Sequence, residues 1–332
     1  MSVTRRLLLG AGVSTAVLGA TELVLRATVP ATSLLFEYER PDGLIRLDPK
    51  GAVKPREGAV DTRHDGPYAW SSAFNALGLR ESSETSPKPP EGKRRVLALG
   101  DSWIFGFSVD QAHTLDAELE RLLPELEVLN GGVFGSSAYD ALRRWEELRD
   151  VLEPDALLLG TPHNTGRQRE KSAERAEWYR SQAVPTTSDW RLFLALRRVV
   201  QPLRGTRYAQ PSAPDEEAAD VLALVRDARA RGLDVYFLAF PVRYETSHAA
   251  ADWIKLLQPE GVILAGHAME ERSCWGFEDL AHPSEAGARA HAETLARAIT
   301  SGRSQSQLVA EPRCADVPGA GPGKGATIGS SP

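Results

Sequence analysis

At 332 residues the chain has room for one sizeable α/β domain with additions or for two smaller domains, and 42% hydrophobic residues are enough for a substantial core. A formal charge of −6, with no basic stretch interleaved with aromatics, excludes a nucleic-acid footprint. Cys274 and Cys314, the two cysteines, both fall late and have no partner at metal-ligand spacing; they read either as one disulfide that pins the tail or as two separate thiols.

The N-terminus reads Thr4-Arg5-Arg6-Leu7-Leu8-Leu9-Gly10 and continues in small and apolar residues to Ala20. A paired arginine before an apolar run of about 14 residues is the pattern of a twin-arginine export signal, and the run is shorter than the ~20 residues of a spanning helix. Residues 1–31 are therefore expected to export the chain to the periplasm, cell surface or medium. They do so either as a cleaved signal or as a retained anchor that associates with a membrane; an ordinary secretion signal carrying two arginines is the plainer alternative. Leu7 to Gly12 is not a dinucleotide-binding turn, because Thr15 stands where its third glycine would be.

Residues 32–92 are rich in Pro, Gly, Ser and charge and read as an irregular segment that ends in a linker over Glu81–Gly92. From Arg95 the pattern becomes alternating strands and helices. Strands are predicted at Val96–Gly100, Glu127–Asn130, Ala156–Gly160, Asp234–Phe240 and Val262–Leu264, and helices at Leu115–Leu123, Ala138–Leu152, Glu216–Arg231 and Glu285–Ile299. Continuous apolar strands separated by helices argue for a parallel sheet covered on both faces. Residues 93–302 then form the main domain, interrupted by an insert over 165–214, and 303–332 form a Ser-, Gly- and Pro-rich disordered tail. Within the insert, Ser188-Asp189-Trp190-Arg191-Leu192-Phe193-Leu194-Ala195-Leu196-Arg197-Arg198 reads as a capped amphipathic helix, suited to a lid, a packing element or a membrane surface.

Two strings carry the chemistry. Gly100-Asp101-Ser102 follows the apolar run Val96-Leu97-Ala98-Leu99, and Asp279-Leu280-Ala281-His282-Pro283 precedes the last predicted helix. A serine hydroxyl is a poor nucleophile at its free pKa, so it needs an imidazole base, and that base needs a carboxylate to fix its tautomer. Alone, Gly-Asp-Ser is simply a good turn and helix start. Ser102, His282 and Asp279 together supply all three residue types. His64, His113, His163, His248, His267 and His291, the remaining histidines, form no zinc-holding spacing, and no metal or organic cofactor is expected.

With Asn130-Gly131-Gly132-Val133-Phe134-Gly135-Ser136 and Leu159-Gly160-Thr161-Pro162-His163-Asn164 lying in order between them, these strings resemble the SGNH (GDSL-type) hydrolase superfamily over residues 96 to 300. The resemblance implies a flavodoxin-like three-layer α/β/α sandwich with a central parallel five-stranded sheet. It also implies Ser102, Asp279 and His282 as catalytic residues, with an oxyanion hole from the N–H groups of Ser102 and Gly132 and the side chain of Asn164. Thr165 departs from the aspartate that commonly follows that asparagine. Asn75-Ala76-Leu77-Gly78-Leu79-Arg80 looks like a segment that precedes the first block in exported members; from its residues it reads as a turn. The implied activity is an exported serine esterase acting on an acyl group, acetyl on a carbohydrate being the leading substrate. The same residues would serve a polysaccharide O-acetyltransferase or a lipase or thioesterase, and a silent glycan-binding protein is the non-enzymatic alternative.

Overall fold

The computed structural model describes residues 3–30, 34, 40, 43–48, 52–65, 68–160, 190–196, 214–239, 248–266, 274–275 and 282–304. Helix α1 (Val3–Thr28) comes first, then two antiparallel hairpins, β1 (Ile45–Leu47) with β2 (Val53–Pro55) and β3 (Val60–Asp65) with β4 (Tyr68–Ala73). The main domain follows as β5 (Arg94–Leu99), α2 (Ser102–Phe105), α3 (Leu115–Leu122), β6 (Leu126–Asn130), α4 (Ala138–Leu152) and β7 (Ala156–Gly160). A helix over residues 191–196, α5, belongs to the insert. The chain then forms α6 (Pro214–Ala230), β8 (Asp234–Ala239), α7 (His248–Leu257), β9 (Ile263–Gly266) and α8 (Glu285–Ser301).

Strands β5 to β9 make one five-stranded sheet in the order β6-β5-β7-β8-β9, with every pairing parallel. Both faces of these strands are apolar, so alternate residues feed two separate cores. Leu97, Leu99, Leu157, Leu159, Val235 and Phe237 pack with Leu142, Trp145 and Leu148 of α4 and Val221, Leu224 and Val225 of α6. Val96, Ala98, Val128, Leu158, Tyr236 and Leu238 pack on the other face with Leu115 and Leu119 of α3 and with the alanine-rich side of α8 around Leu295. This is a three-layer α/β/α sandwich. The five predicted strands and four predicted helices of this domain are all present, with ends displaced by a few residues.

Within the stretch expected to be irregular, residues 45–73 form two hairpins, while the described residues from 74 to 92 form no helix or strand. Both hairpins fold against the main domain: Leu44, Trp70 and Phe74 form a cluster with Phe105, and Phe107 and Phe134 pack against it. β3 and β4 escape a sequence reading because only one face is well covered: in β4 Trp70 and Ser72 are buried while Ser71 and Ala73, on the opposite face, are half-buried, and Tyr68 at the strand's start is exposed. Helix α7 was likewise not predicted. Among the described residues, no helix is long and apolar enough to cross a membrane. Most of the insert, and the tail from residue 305, lie outside the described residues.

Candidate active site

Parallel sheets leave their ligand crevices at the carboxyl ends of the strands, and Ser102 sits at that end of β5. Leu99 ends the strand, Gly100 turns, and Asp101 takes an extended conformation as the N-cap of α2, its carboxylate accepting from Trp103 N–H at 3.0 Å. Ser102 is the first residue of this four-residue helix, which Gly106 closes in the left-handed conformation (φ 82°) by donating its N–H to the Ser102 carbonyl at 3.0 Å. The hydroxyl thus stands at a strand-to-helix elbow.

His282 comes to that elbow from 180 residues away, its Nε2 2.7 Å from Ser102 Oγ. It precedes Pro283 and Ser284, and Ser284 caps α8 by accepting from Gly287 N–H at 3.2 Å. The segment is fastened on its other side: Trp275 bridges Pro283, and Ser284 N–H donates to the Cys274 carbonyl at 2.8 Å. Cys274 is disulfide-bonded, and the chain's other cysteine, Cys314, lies outside the described residues. Phe107 lies 4.9 Å from the imidazole between ring centroids and Trp103 6.3 Å, while Trp103 meets Trp275 edge-on at 5.7 Å. These aromatics restrict the rotations open to the base. Asp279 and Asn164 lie outside the described residues.

Gly132 does not present a free oxyanion donor, because its N–H donates to Asn130 Oδ1 at 3.0 Å. A Cβ at this position would stand 2.4 Å from the Phe105 nitrogen and 2.8 Å from the Ile104 carbonyl carbon, so its role in this geometry is to let β6 and its loop lie against the backbone of α2. Three residues on, Gly135 has φ 75°, and its N–H meets no acceptor among the described residues. The same is true of Ser102 N–H.

Under the elbow lies a buried polar frame that sequence reasoning missed. The guanidinium of Arg80 donates to the carbonyls of Phe105, of Gly106 at 2.7 Å, of Val109 at 2.7 Å and of Ser71 at 2.9 Å. It also stacks 4.4 Å from the Phe105 ring centroid. Arg80 therefore holds the C-terminal carbonyls of the helix that begins with Ser102, and with them hairpin β3–β4. Asn130 completes the frame by donating to the Ile104 carbonyl at 2.9 Å and to Asp116 at 2.6 Å. The segment from Asn75 to Arg80 is a turn, with Asn75 Oδ1 accepting from Leu77 N–H at 3.0 Å and Leu79 N–H at 3.1 Å, yet its larger effect is to aim Arg80. The signal was its terminal arginine.

Burial lowers Arg80 to about 10, opposed by the fields of Asp116, Asp110 and Glu81, so it stays charged at neutral pH. The carboxyls beside it move up, Asp116 to about 6 by burial and Glu81 to about 8 by burial and then by Asp116. The folded chain thus keeps on Glu81 a proton that the unfolded chain releases near 4.5, and this contribution to stability falls as pH rises and is gone above about 8. Glu81→Gln cannot ionise. It is expected to melt roughly 5 °C or more above the wild type at pH 9 and close to it at pH 4, measured by circular dichroism. The same difference at both pH values would remove this role from Glu81.

No family model and no curated relative matches the chain. Solved structures do. The structures it resembles include esterases of the SGNH type. The psychrotrophic esterase EstA from Pseudoalteromonas sp., solved with monoethylphosphonate as inhibitor, matches at 15% identity over 63% of this chain and 98% of its own, with a TM-score of 0.44. TesA matches at 15% identity over 63% of this chain and 99% of its own, with a TM-score of 0.42. AlinE4, an SGNH-hydrolase family esterase, matches at 16% identity over 53% of this chain and 77% of its own, with a TM-score of 0.35.

Proposed function

We propose that the chain is an exported serine esterase of the SGNH type that removes an acyl group, acetyl above all, from a carbohydrate. One observation carries the chemistry: Ser102 Oγ stands 2.7 Å from His282 Nε2 at a strand-to-helix elbow. In this reading His282 takes the hydroxyl proton as Oγ attacks the ester carbonyl and returns it to the departing alkoxide. Water, deprotonated by the same imidazole, then attacks the acyl-serine, and the proton passes from His282 to Ser102 Oγ as the acid leaves. Asp279, three residues before His282 in sequence, is assigned the carboxylate that fixes the tautomer with the proton on Nδ1. The negative oxygen is received by Ser102 N–H and by the Asn164 side chain, while Gly132 N–H is given to Asn130 Oδ1 at 3.0 Å.

The carbohydrate reading draws support from the aromatic ring beside the base. Phe107 flanks the imidazole at 4.9 Å between ring centroids, and Arg63, paired with Asp61 at 2.7 Å, stacks on Phe107 and Phe134; an aromatic face beside the serine suits the apolar face of a sugar. Acetylated oligosaccharides and long-chain acyl esters should be compared as substrates, with free acetate and transferred acetyl both measured. Release of acetate from the sugars is expected. Turnover confined to long chains would replace this reading with a lipase, and acetyl moved to an acceptor sugar would replace it with a transferase.

A further inference from the structure

Helix α1 has no charged residue between Arg6 and Glu22, and its described side chains from Gly10 to Thr21 are all exposed. Val13 (59% exposed), Val17 (58%), Leu18 (52%), Leu23 (69%) and Val24 (61%) are spread round its circumference rather than gathered on one stripe. An isolated helix of this kind leaves a large apolar surface in water.

Its one acidic residue behaves differently. Glu22 is buried, and its carboxylate accepts from Arg26 Nε at 2.7 Å and from the backbone N–H groups of Arg191 at 3.0 Å and Leu192 at 2.7 Å. Arg191 Nε in turn donates to the Val29 carbonyl at 3.2 Å. Glu22 thus supplies the first turn of α5 with its acceptor and docks the two helices together. Beside that junction Trp190, just before α5, and Phe193 and Leu196 on it are each more than half exposed. The insert that carries α5 leaves the sheet after β7, at the end of the sheet that bears Ser102.

We infer that α1 and α5 form one membrane-docking unit whose occupant is a phospholipid bilayer with anionic headgroups. The uncharged stretch of α1, ~22 Å long at 1.5 Å per residue, enters the hydrocarbon. Trp190, Phe193 and Leu196 seat in the interface beside it. Three observations select a bilayer over a second copy of the chain. Exposure runs round α1, whereas another protein would cover one side. The charge that would oppose insertion, Glu22, is turned inward and paired. Arg5 and Arg6 stand before the apolar stretch while Arg26 and Arg191 stand behind it, so cations flank it at both ends where anionic headgroups would meet them. An amphipathic indole such as that of Trp190 belongs at the headgroup boundary. The inference is independent of the ester chemistry.

The full chain, purified in detergent and diluted into vesicles of three parts neutral to one part anionic phospholipid, is expected to float with them, with part of its tryptophan emission quenched by brominated acyl chains. Trp190→Phe is expected to remove most of that quenching. Phe193→Ser combined with Leu196→Ser is expected to lower the partition at least tenfold. A circular-dichroism melt shows whether the double variant is folded; if it is not, the quenching lost in Trp190→Phe decides. A partition indifferent to the double substitution, quenching that survives Trp190→Phe, or a defined dimer that leaves the vesicles bare would each overturn the inference.

Discussion

Ser102→Ala is expected to lower turnover of a short activated ester by on the order of a million-fold, to the level set by the remaining binding and oxyanion groups. The reason is geometric. The hydroxyl is the group that Nε2 of His282 meets at 2.7 Å, and an alanine methyl has no proton to give and no lone pair with which to attack. His282→Ala should lose a similar factor, and the double variant little more, because nucleophile and base act as one unit. A fluorophosphonate should label the wild type at Ser102 and leave Ser102→Ala unlabelled. Full labelling of the alanine variant, or additive losses in the double variant, would show that another serine carries the reaction.

Arg80→Leu is expected to destabilise the fold by about 3–5 kcal/mol, the range for removing one member of a buried charged network. For a domain of this size that lowers Tm by roughly 6–20 °C. The leucine would cover the Phe105 ring but would leave the carbonyls of Ser71, Phe105, Gly106 and Val109 without their donor. Arg80→Lys keeps the charge and loses the planar fork, so it should recover only part of the loss. By contrast, the pair of Arg94 and Asp234 is partly exposed on both sides, and Arg94→Ala should cost less than about 1 kcal/mol. Thermal and urea unfolding of the three variants measures the ranking. Arg94→Ala as damaging as Arg80→Leu would contradict it.

The sheet was legible because its strands are apolar on both faces, and such runs, separated by helical stretches, point to a covered parallel sheet. Ser102 and His282 were legible for a related reason, since each stands at a helix start that the local residues announce: Asp101 as an N-cap, and Pro283-Ser284 before α8. That the Gly132 N–H is committed to Asn130 Oδ1 carries no mark in the sequence and is visible only in space. Arg80 was hidden because its acceptors are backbone carbonyls spread over residues 71 to 109, and a carbonyl carries no mark in the sequence. The hairpins were hidden because their strands are short and half polar, and what holds them is the aromatic cluster around Phe105 and Arg80 itself.

The sequence distances within the elbow bear on how the chain is made. Arg80, Phe105, Gly106, Asp116 and Asn130 all lie within about fifty residues of one another, whereas His282 reaches Ser102 from 180 residues downstream. A chain folding from its N-terminus as it is synthesised can assemble the frame and place the serine early. It cannot bring the imidazole until β9 has been added. A chain that ends before residue 282 therefore carries the hydroxyl with no base beside it, and the reactive pair forms only once the segment after β9 is added.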